Sequence, residues 1–456
     1  MTPKRPFVKG EKIKLNIDNL NSQGEGVGRY NNFVVFVPKG VPGDELLVEI
    51  ISIQKSFARG IIEKILKTSP ERIKAPCSHY GQCGGCQLQH ISYPYQLKFK
   101  TRLVRDTLKK IASIPENKIT GIAGMKHPTY YRNKAQIQVG LQENIPKVGY
   151  FTSGSHTIIE ADNCLIQNEG NNKITVVFKE LISKYNLSIY NKKTGRGLIR
   201  HVISKVSSYS EEIMVMIVTN GKQLPHGNKI IEELKSKIPE ITSIIQNINT
   251  RKENVILGKQ NVLLYGKEYI TEKIGDLFFR ISPQAFFQVN TTQTKVLYDF
   301  LLDMAELTGK ETVMDIYCGT GSIALYLAAG VQKVYGIEIN PDAIKDARLN
   351  ADINKLVNSK FFEGRAENVL PLLMKKGIKP DIIVVDPPRK GCAPELLDTI
   401  LHAVPEKIIY VSCNPSTLAR DLKILCDELY DVVEIQPVDM FPYTSHVECV
   451  VLIEKK

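Results

Sequence analysis

Lys407-Ile408-Ile409-Tyr410-Val411-Ser412-Cys413-Asn414-Pro415 is the stretch around which the rest of the chain is organised. Four consecutive β-branched and aromatic residues, bounded by charge before and Asn-Pro after, read as a short strand buried on both faces of a parallel sheet. Just past the run stands a thiol. In open α/β sheets, ligands collect outside the carboxyl ends of the strands, which puts Cys413 at the mouth of a site. A buried cysteine packing as a small hydrophobe is the bland alternative, and the residues around Cys413 in sequence decide between the two.

Working outward, the chain from Glu311 alternates strand and helix with short connections, which predicts a doubly wound, mostly parallel sheet. Val313-Met314-Asp315-Ile316-Tyr317 is its first strand. Cys318-Gly319-Thr320-Gly321 and a helix from Ser322 come next, the glycines allowing a ligand close to the backbone. Lys333 to Ile337 ends in Glu338, 17 residues beyond Gly321, where an acid can accept both hydroxyls of a ribose. The loop lacks G-x-G-x-x-G, which argues against a dinucleotide. Asp381 to Val385 forms the fourth strand and ends in Asp386-Pro387-Pro388-Arg389, where prolines fix the backbone and Asp386 can accept hydrogen bonds. Arg389, where an aromatic would follow Pro-Pro in enzymes that methylate amino groups, argues against that chemistry. The last apolar strand, Cys449 to Ile453, is opened by Glu448, with His446 two residues earlier.

Residues 1–66 read as a small β-barrel with strands at Lys12 to Ile17, Phe33 to Val37, Glu45 to Ile53 and Gly60 to Ile65. The turn formers Ser22 to Gly28 and Pro38 to Asp44 separate them. Ten Lys or Arg against seven Asp or Glu in residues 1–65 suit a face that meets single-stranded nucleic acid. Residues 67–275 read as a mixed α+β domain. It begins with Cys77, Cys83 and Cys86 in C-x5-C-x2-C spacing, with Gly84 and Gly85 letting the backbone fold tightly. Cys164 can supply a fourth thiolate, and four thiolates suit either tetrahedral zinc or a cubane iron–sulfur cluster. A basic amphipathic helix over 95–114 is expected to link domains. Tyr130 to Val139 then reads as a strand in which aromatics stand beside Arg132 and Lys134, groups that stack on bases and hold phosphates. Strands at Ile199 to Val206, Ile213 to Val218 and Val262 to Tyr265, with helices at Asn171 to Tyr185 and Asn228 to Ile238, complete this domain. Residues 276–456 form the last.

At 456 residues, with net charge +12 and pI near 9.0, the chain suits a polyanionic partner, because each phosphate contacted releases counterions. No apolar run approaches a membrane span, and Met1 leads into Lys4-Arg5-Pro6 without a hydrophobic signal core. A cytoplasmic, monomeric protein with reduced thiols is expected.

Several of these motifs carry resemblances. GEGVGR followed by VFVPKGVPGDEL resembles the TRAM domain, an OB-like module of RNA-modifying enzymes. The Asp315-to-Gly321 loop resembles the class I S-adenosylmethionine loop. CSHYGQCGGCQLQH resembles the cluster loop of iron–sulfur RNA methyluridine methyltransferases, whose fourth ligand matches Cys164; that implies a [4Fe-4S] cluster, with zinc the alternative. With Phe286-Phe287-Gln288-Val289-Asn290, Asp386-Pro387-Pro388-Arg389, Ser412-Cys413-Asn414-Pro415 and His446-Val447-Glu448, the chain resembles the RNA uracil-5-methyltransferase family over nearly its whole length.

The resemblance implies a class I Rossmann-like methyltransferase domain behind the barrel and the central domain. It implies Cys413 as nucleophile and Glu448 as proton-abstracting base, with His446 the competing base. Gln288, Tyr317, Gly319, Ser322, Glu338 and Asp386 would line the donor pocket; the family often has Phe at Tyr317 and Asn at Ser322. The chemistry fits a thiol, because C5 of uracil needs a nucleophile at C6 before it can take a methyl group. The implied activity is methylation of C5 of a uridine in 23S ribosomal RNA. A transfer-RNA uridine methyltransferase and a catalytically idle RNA-binding assembly factor are the alternatives.

Overall fold

A computed structural model describes residues 6–253 and 255–456; the Met1–Arg5 portion of the expected barrel lies outside them. The last sheet carries the most information about the site. Its strands are β1 (Thr312–Ile316), β2 (Lys333–Glu338), β3 (Ser359–Glu363), β4 (Ile382–Val385), β5 (Lys407–Ser412), β6 (Tyr430–Val438) and β7 (Glu448–Lys455). They lie in the order β3-β2-β1-β4-β5-β7-β6. All neighbours pair in parallel except those made by β7, which runs antiparallel to both β5 and β6. The order reverses direction between β1 and β4, so the carboxyl ends of β1, β2, β4 and β5 open together on one crevice. Antiparallel β7 delivers its first residue, Glu448, to that same end, opposite the end of β5 in the register that pairs Cys449 with Ser412.

The barrel sheet has two strands beyond the four expected. Gly26–Tyr30, read from sequence as part of a turn, is a strand paired with Phe33–Val37, and Asn19–Leu20 pairs with it on the other side. The glycines serve close approach rather than turning. A Cβ on Gly28 would stand 2.4 Å from the Asn16 carbonyl oxygen, and one on Gly26 would stand 2.8 Å from Gly40 Cα. Only glycine lets these segments close on one another.

The central sheet has seven strands, and its neighbours run antiparallel save the parallel pair Ile213–Thr219 and Ile241–Ile248. Helices Glu169–Lys184 and Gly227–Lys237 cover one face. Ile203, Met214, Met216, Val218 and Ile245 on the other face join the core of the last sheet. The expected boundary at 275/276 falls in the turn of a hairpin, Ile270–Ile274 with Leu277–Ile281, whose apolar side chains belong to that same core. The strand expected from Tyr130 begins at Lys134; Tyr130 is left-handed at φ 53° and Tyr131 is buried.

The basic helix spans Tyr93–Ala112 and does more than link. Val104 and Leu108 pack with Leu418, Ala419 and Leu422 of helix Pro415–Leu425, so it covers one face of the last sheet. Ile119 and Ala123 bridge Ile435 and Val438, extending the sheet beyond β6. Lys100 Nζ and Asp439 Oδ1 form an ion pair at 2.5 Å with both side chains fully buried. Among the described residues, no helix is long and apolar enough to cross a membrane.

Candidate active site

A single cavity of about 1210 Å³ runs from the carboxyl ends of the last sheet to the cysteine loop. It exceeds the usual size of a small-molecule site, roughly 300–1,000 Å³. Cys413, Glu448, His446, Arg389, Asp386, Gln288, Tyr317, Gly319 and Glu338 line it, and so do Arg132, Lys134, Cys77, Cys83, Cys86 and Cys164. Ser322 does not. Its hydroxyl is 2.7 Å from the Tyr298 hydroxyl.

The chain arrives at the site through strained turns. Tyr317 leaves β1 at φ 67°, a conformation costing a non-glycine residue about 1 kcal/mol or more. Its amide is held by the Ile337 carbonyl. Gly319 follows at φ 53° with open space where a Cβ would stand, so its backbone is free to meet a ligand. Glu338 accepts from the amides of Gly319 (3.3 Å) and Asn340 (2.9 Å), which turns its carboxylate along the cavity wall. Beside it Ile339 is 58% exposed, an apolar side chain presented to the cavity. Gly364, Arg365, Ala366 and Glu367 complete that wall from the end of β3. Sequence reasoning missed Ile339 and the 364–367 turn. The signal available was position, since both follow the carboxyl ends of parallel strands.

At the other side of β1 stand two acids and a thiol. Asp386 is recessed at the end of β4, and desolvation raises its pKa to about 7. Glu448 is buried; desolvation first, and then the nearby Asp386 carboxylate, hold its pKa well above the ordinary value. Cys413 is half-buried and raised to about 11 by desolvation, then by Glu448 and Asp386, while the Arg389 guanidinium opposes the shift. The resting group is therefore a thiol. Arg389 also reaches His446 Nε2 at 3.2 Å. Arginine has only donors, so it occupies the lone pair that would make this nitrogen a base.

Two clamps hold these groups. Asn414 Nδ2 and Thr417 Oγ1 donate to the Arg389 carbonyl at 3.1 and 3.3 Å, tying the turn after β4 to the helix after Cys413. Asn133 Nδ2 donates to the Gln288 carbonyl (3.1 Å) and its amide to Val289, fixing the Phe286–Asn290 segment to the central domain.

The four cysteines line the opposite end of the cavity. Burial raises the pKa of Cys86 to about 12 and those of Cys83 and Cys164 above normal, and each of the three feels the neighbouring thiols. Among the described residues, no group of three or more His, Cys, Asp or Glu side chains is gathered so as to hold a metal ion.

A seven-stranded sheet with one antiparallel strand, a glycine loop after β1 and an acid after β2 define a class I methyltransferase domain. The comparisons with known proteins make the assignment narrower. Residues 92–456 match the family described as tRNA (uracil-5-)-methyltransferase, and residues 6–62 match the TRAM domain. An RNA methyltransferase of Bacillus cereus is 46% identical over 455 residues, covering 100% of this chain and 98% of its own. One from Caldanaerobacter subterraneus is 46% identical over 446 residues, 98% of each chain. The solved Pyrococcus abyssi tRNA (uracil-54, C5)-methyltransferase in complex with S-adenosyl-L-homocysteine is 29% identical, with TM-score 0.77 over 97% of this chain and 100% of that one. The chain belongs to the tRNA (uracil-5-)-methyltransferase family. It is an S-adenosylmethionine-dependent RNA methyltransferase with an N-terminal TRAM domain.

Proposed function

We propose that the protein methylates C5 of a specific uridine in 23S ribosomal RNA, with Cys413 as nucleophile and Glu448 as base. The observation that carries the reading is that the Cys413 thiol and the Glu448 carboxylate line one recessed cavity together with the glycine loop and Glu338. S-adenosylmethionine supplies an electrophilic methyl group on a sulfonium. Gln288, Tyr317, Gly319, Glu338 and Asp386 would hold it, with Glu338 accepting the ribose hydroxyls and Ile339 against the base. The open space at Gly319 and the exposed Ile339 fit such a ligand.

The chemistry rests on the groups present. The thiol loses its proton to water in the cleft, and the thiolate adds to C6 of a uracil splayed from its stack. The π pair of the C5–C6 bond moves onto the ring carbonyl as an enolate. C5 then takes the methyl group, and the electrons of the broken carbon–sulfur bond stay on the donor sulfur. Glu448 removes the C5 proton; that C–H pair re-forms the double bond, the C6–S bond breaks, and the thiolate leaves. A buried carboxylate of raised pKa suits this last step, being a stronger base once ionised. Arg389 on His446 Nε2 favours Glu448 over His446 for it.

The division into a barrel (1–66), a central domain (67–275) and a methyl-donor domain (276–456) is part of this reading, the barrel and Arg132 and Lys134 meeting RNA. Cys77, Cys83, Cys86 and Cys164 would hold a [4Fe-4S] cluster of structural role. The four thiols line one end of the cavity but, among the described residues, are not gathered as a metal site, so the cluster rests on the resemblance of the cysteine loop. The cysteine loop is what favours ribosomal RNA. Transfer RNA is the second reading, supported by the likeness to the Pyrococcus abyssi protein. A cytoplasmic location and a monomer belong to the same proposal.

The test is tritium release from 5-tritiated uridine in 23S and transfer RNA transcripts, with Cys413→Ala as control. Release from 23S RNA that vanishes in the variant is expected. Release from transfer RNA alone would move the substrate, and none from either would favour an idle RNA-binding factor.

A further inference from the structure

The cysteine loop and the turn that leads into the strand beginning at Glu448 are far apart in sequence and bonded directly in the fold. The amides of Gln87 and Leu88, the two residues after Cys86, both donate to the Tyr443 carbonyl, at 3.0 and 2.9 Å. Gln87 Oε1 accepts from the Ser445 amide at 3.4 Å, and Gln87 Nε2 donates to the Gly84 carbonyl at 3.0 Å. The Tyr443 ring is buried with Tyr131 and Ile166, and Cys86 and Cys164 pack against this group. Its backbone is left-handed, at φ 66°. A non-glycine residue stays there only when its surroundings over-determine it. Here the surroundings are the cysteine loop and the helix Tyr93–Ala112, whose Gln96 Oε1 accepts from the Tyr443 amide at 3.1 Å and whose Tyr93 ring stands 6.3 Å from the Tyr443 ring. Tyr443 lies five residues before Glu448, and the intervening Thr444 and His446 line the reaction cavity.

Resting on the assignment of Glu448 as base, we propose that Tyr443 is a positioning residue through which the cysteine loop sets where the Glu448 carboxylate stands. Gln96 fixes the amide side of Tyr443, while two amides of the cysteine loop and the packing against the thiols fix its carbonyl and ring in the strained turn, and the turn sets the entry of β7. A loosened cysteine loop lets the turn relax, and Glu448 drifts from the C5 proton. The donor pocket stands on the ends of β1, β2 and β4, with Gln288 held separately by Asn133, so S-adenosylhomocysteine binding is expected to be kept. The four cysteines would thus control one chemical step, the resolution of the covalent intermediate.

The experiment compares Tyr443→Ala, Tyr443→Phe, Gln87→Leu and Glu448→Gln with the wild-type holoenzyme, each checked for iron content. Readouts are the fraction of RNA–enzyme adduct, the isotope effect with 5-deuterated uridine, and the dissociation constant of S-adenosylhomocysteine. Tyr443→Ala is expected to lower kcat by about ten- to a hundredfold, since a misplacement near 1 Å can cost that much. It should accumulate methylated adduct and show a primary isotope effect, with S-adenosylhomocysteine affinity within twofold. Tyr443→Phe, which keeps the ring, should restore turnover. If Tyr443→Ala does not fold, Gln87→Leu carries the same expectation. A folded variant that loses turnover with neither adduct nor isotope effect, or loses nothing, overturns the inference while adduct in Glu448→Gln leaves the base assignment standing. No adduct in Glu448→Gln overturns both.

Discussion

Asp386→Asn should stabilise the protein without RNA or donor, and by an amount that grows with pH. The carboxyl has a folded pKa of about 7 against an ordinary 3.8, and desolvation is the cause. An acid whose pKa is raised by folding holds its proton more tightly in the folded state. Its burial therefore costs nothing below the unfolded value, and the cost appears as pH climbs from about 4 to about 7. It grows by about 1.4 kcal/mol per pH unit over that window and then levels off, for about 4 kcal/mol in full. Water entering the open cleft screens the charge and brings this to about 2 kcal/mol. Asparagine has the same shape and no charge to desolvate. At about 2.1 cal/mol/K per residue, a chain of 456 residues shifts by about 1 °C per kcal/mol, so the melting temperature of Asp386→Asn should exceed that of the wild type by about 2 °C at pH 8 and by under about 1 °C at pH 5. Differential scanning fluorimetry across pH 5–8, without donor, measures the difference directly. A gain equal at both pH values, or a loss at pH 8, would refute the idea that this carboxylate is held against its desolvation cost.

Other consequences are as specific. Arg389→Ala removes the cation that opposes the rise in the Cys413 pKa; kcat/KM near pH 8 should fall roughly two- to fivefold, the range of an exposed charge pair, and the deficit should close as pH approaches the thiol pKa. Lys100→Met strands Asp439 without its buried partner, and urea unfolding should show a loss of about 3–5 kcal/mol that Lys100→Met combined with Asp439→Leu largely recovers. Cys86→Ser should lower iron and sulfide content in anaerobically purified protein and reduce thermal stability, while S-adenosylhomocysteine affinity measured by calorimetry holds within twofold.

Much of the donor half was legible because strands buried on both faces read as unbroken apolar runs, and the site is built from the residues at their carboxyl ends. Asp386 and Glu338 stand one residue past such a run, and Cys413 two. Glu448 was legible at the opening of the last strand, though only the antiparallel course of β7 explains why it meets Cys413. Other features depend on contacts that no local pattern encodes. Gly26 and Gly28 look like turn residues until the segments closing on them are known. The helix Tyr93–Ala112 shows an amphipathic stripe, but nothing in its spacing says that its partner is Pro415–Leu425, some 300 residues on. Ser322 follows the glycine loop as a donor ligand would, and only the fold turns its hydroxyl toward Tyr298. Tyr443 carries no motif; its backbone angle and the two amides on its carbonyl exist only in three dimensions.

The most direct measurement uses RNA bearing 5-fluorouridine at the target, incubated with the enzyme and S-adenosylmethionine. A fluorine at C5 cannot be taken as a proton, so addition and methyl transfer proceed and elimination stops. Tryptic mass spectrometry should find the modified nucleotide on the peptide spanning Ile408 to Arg420, attached to Cys413, and none in Cys413→Ala. Complete turnover without a covalent species, or attachment to another cysteine, would contradict the account.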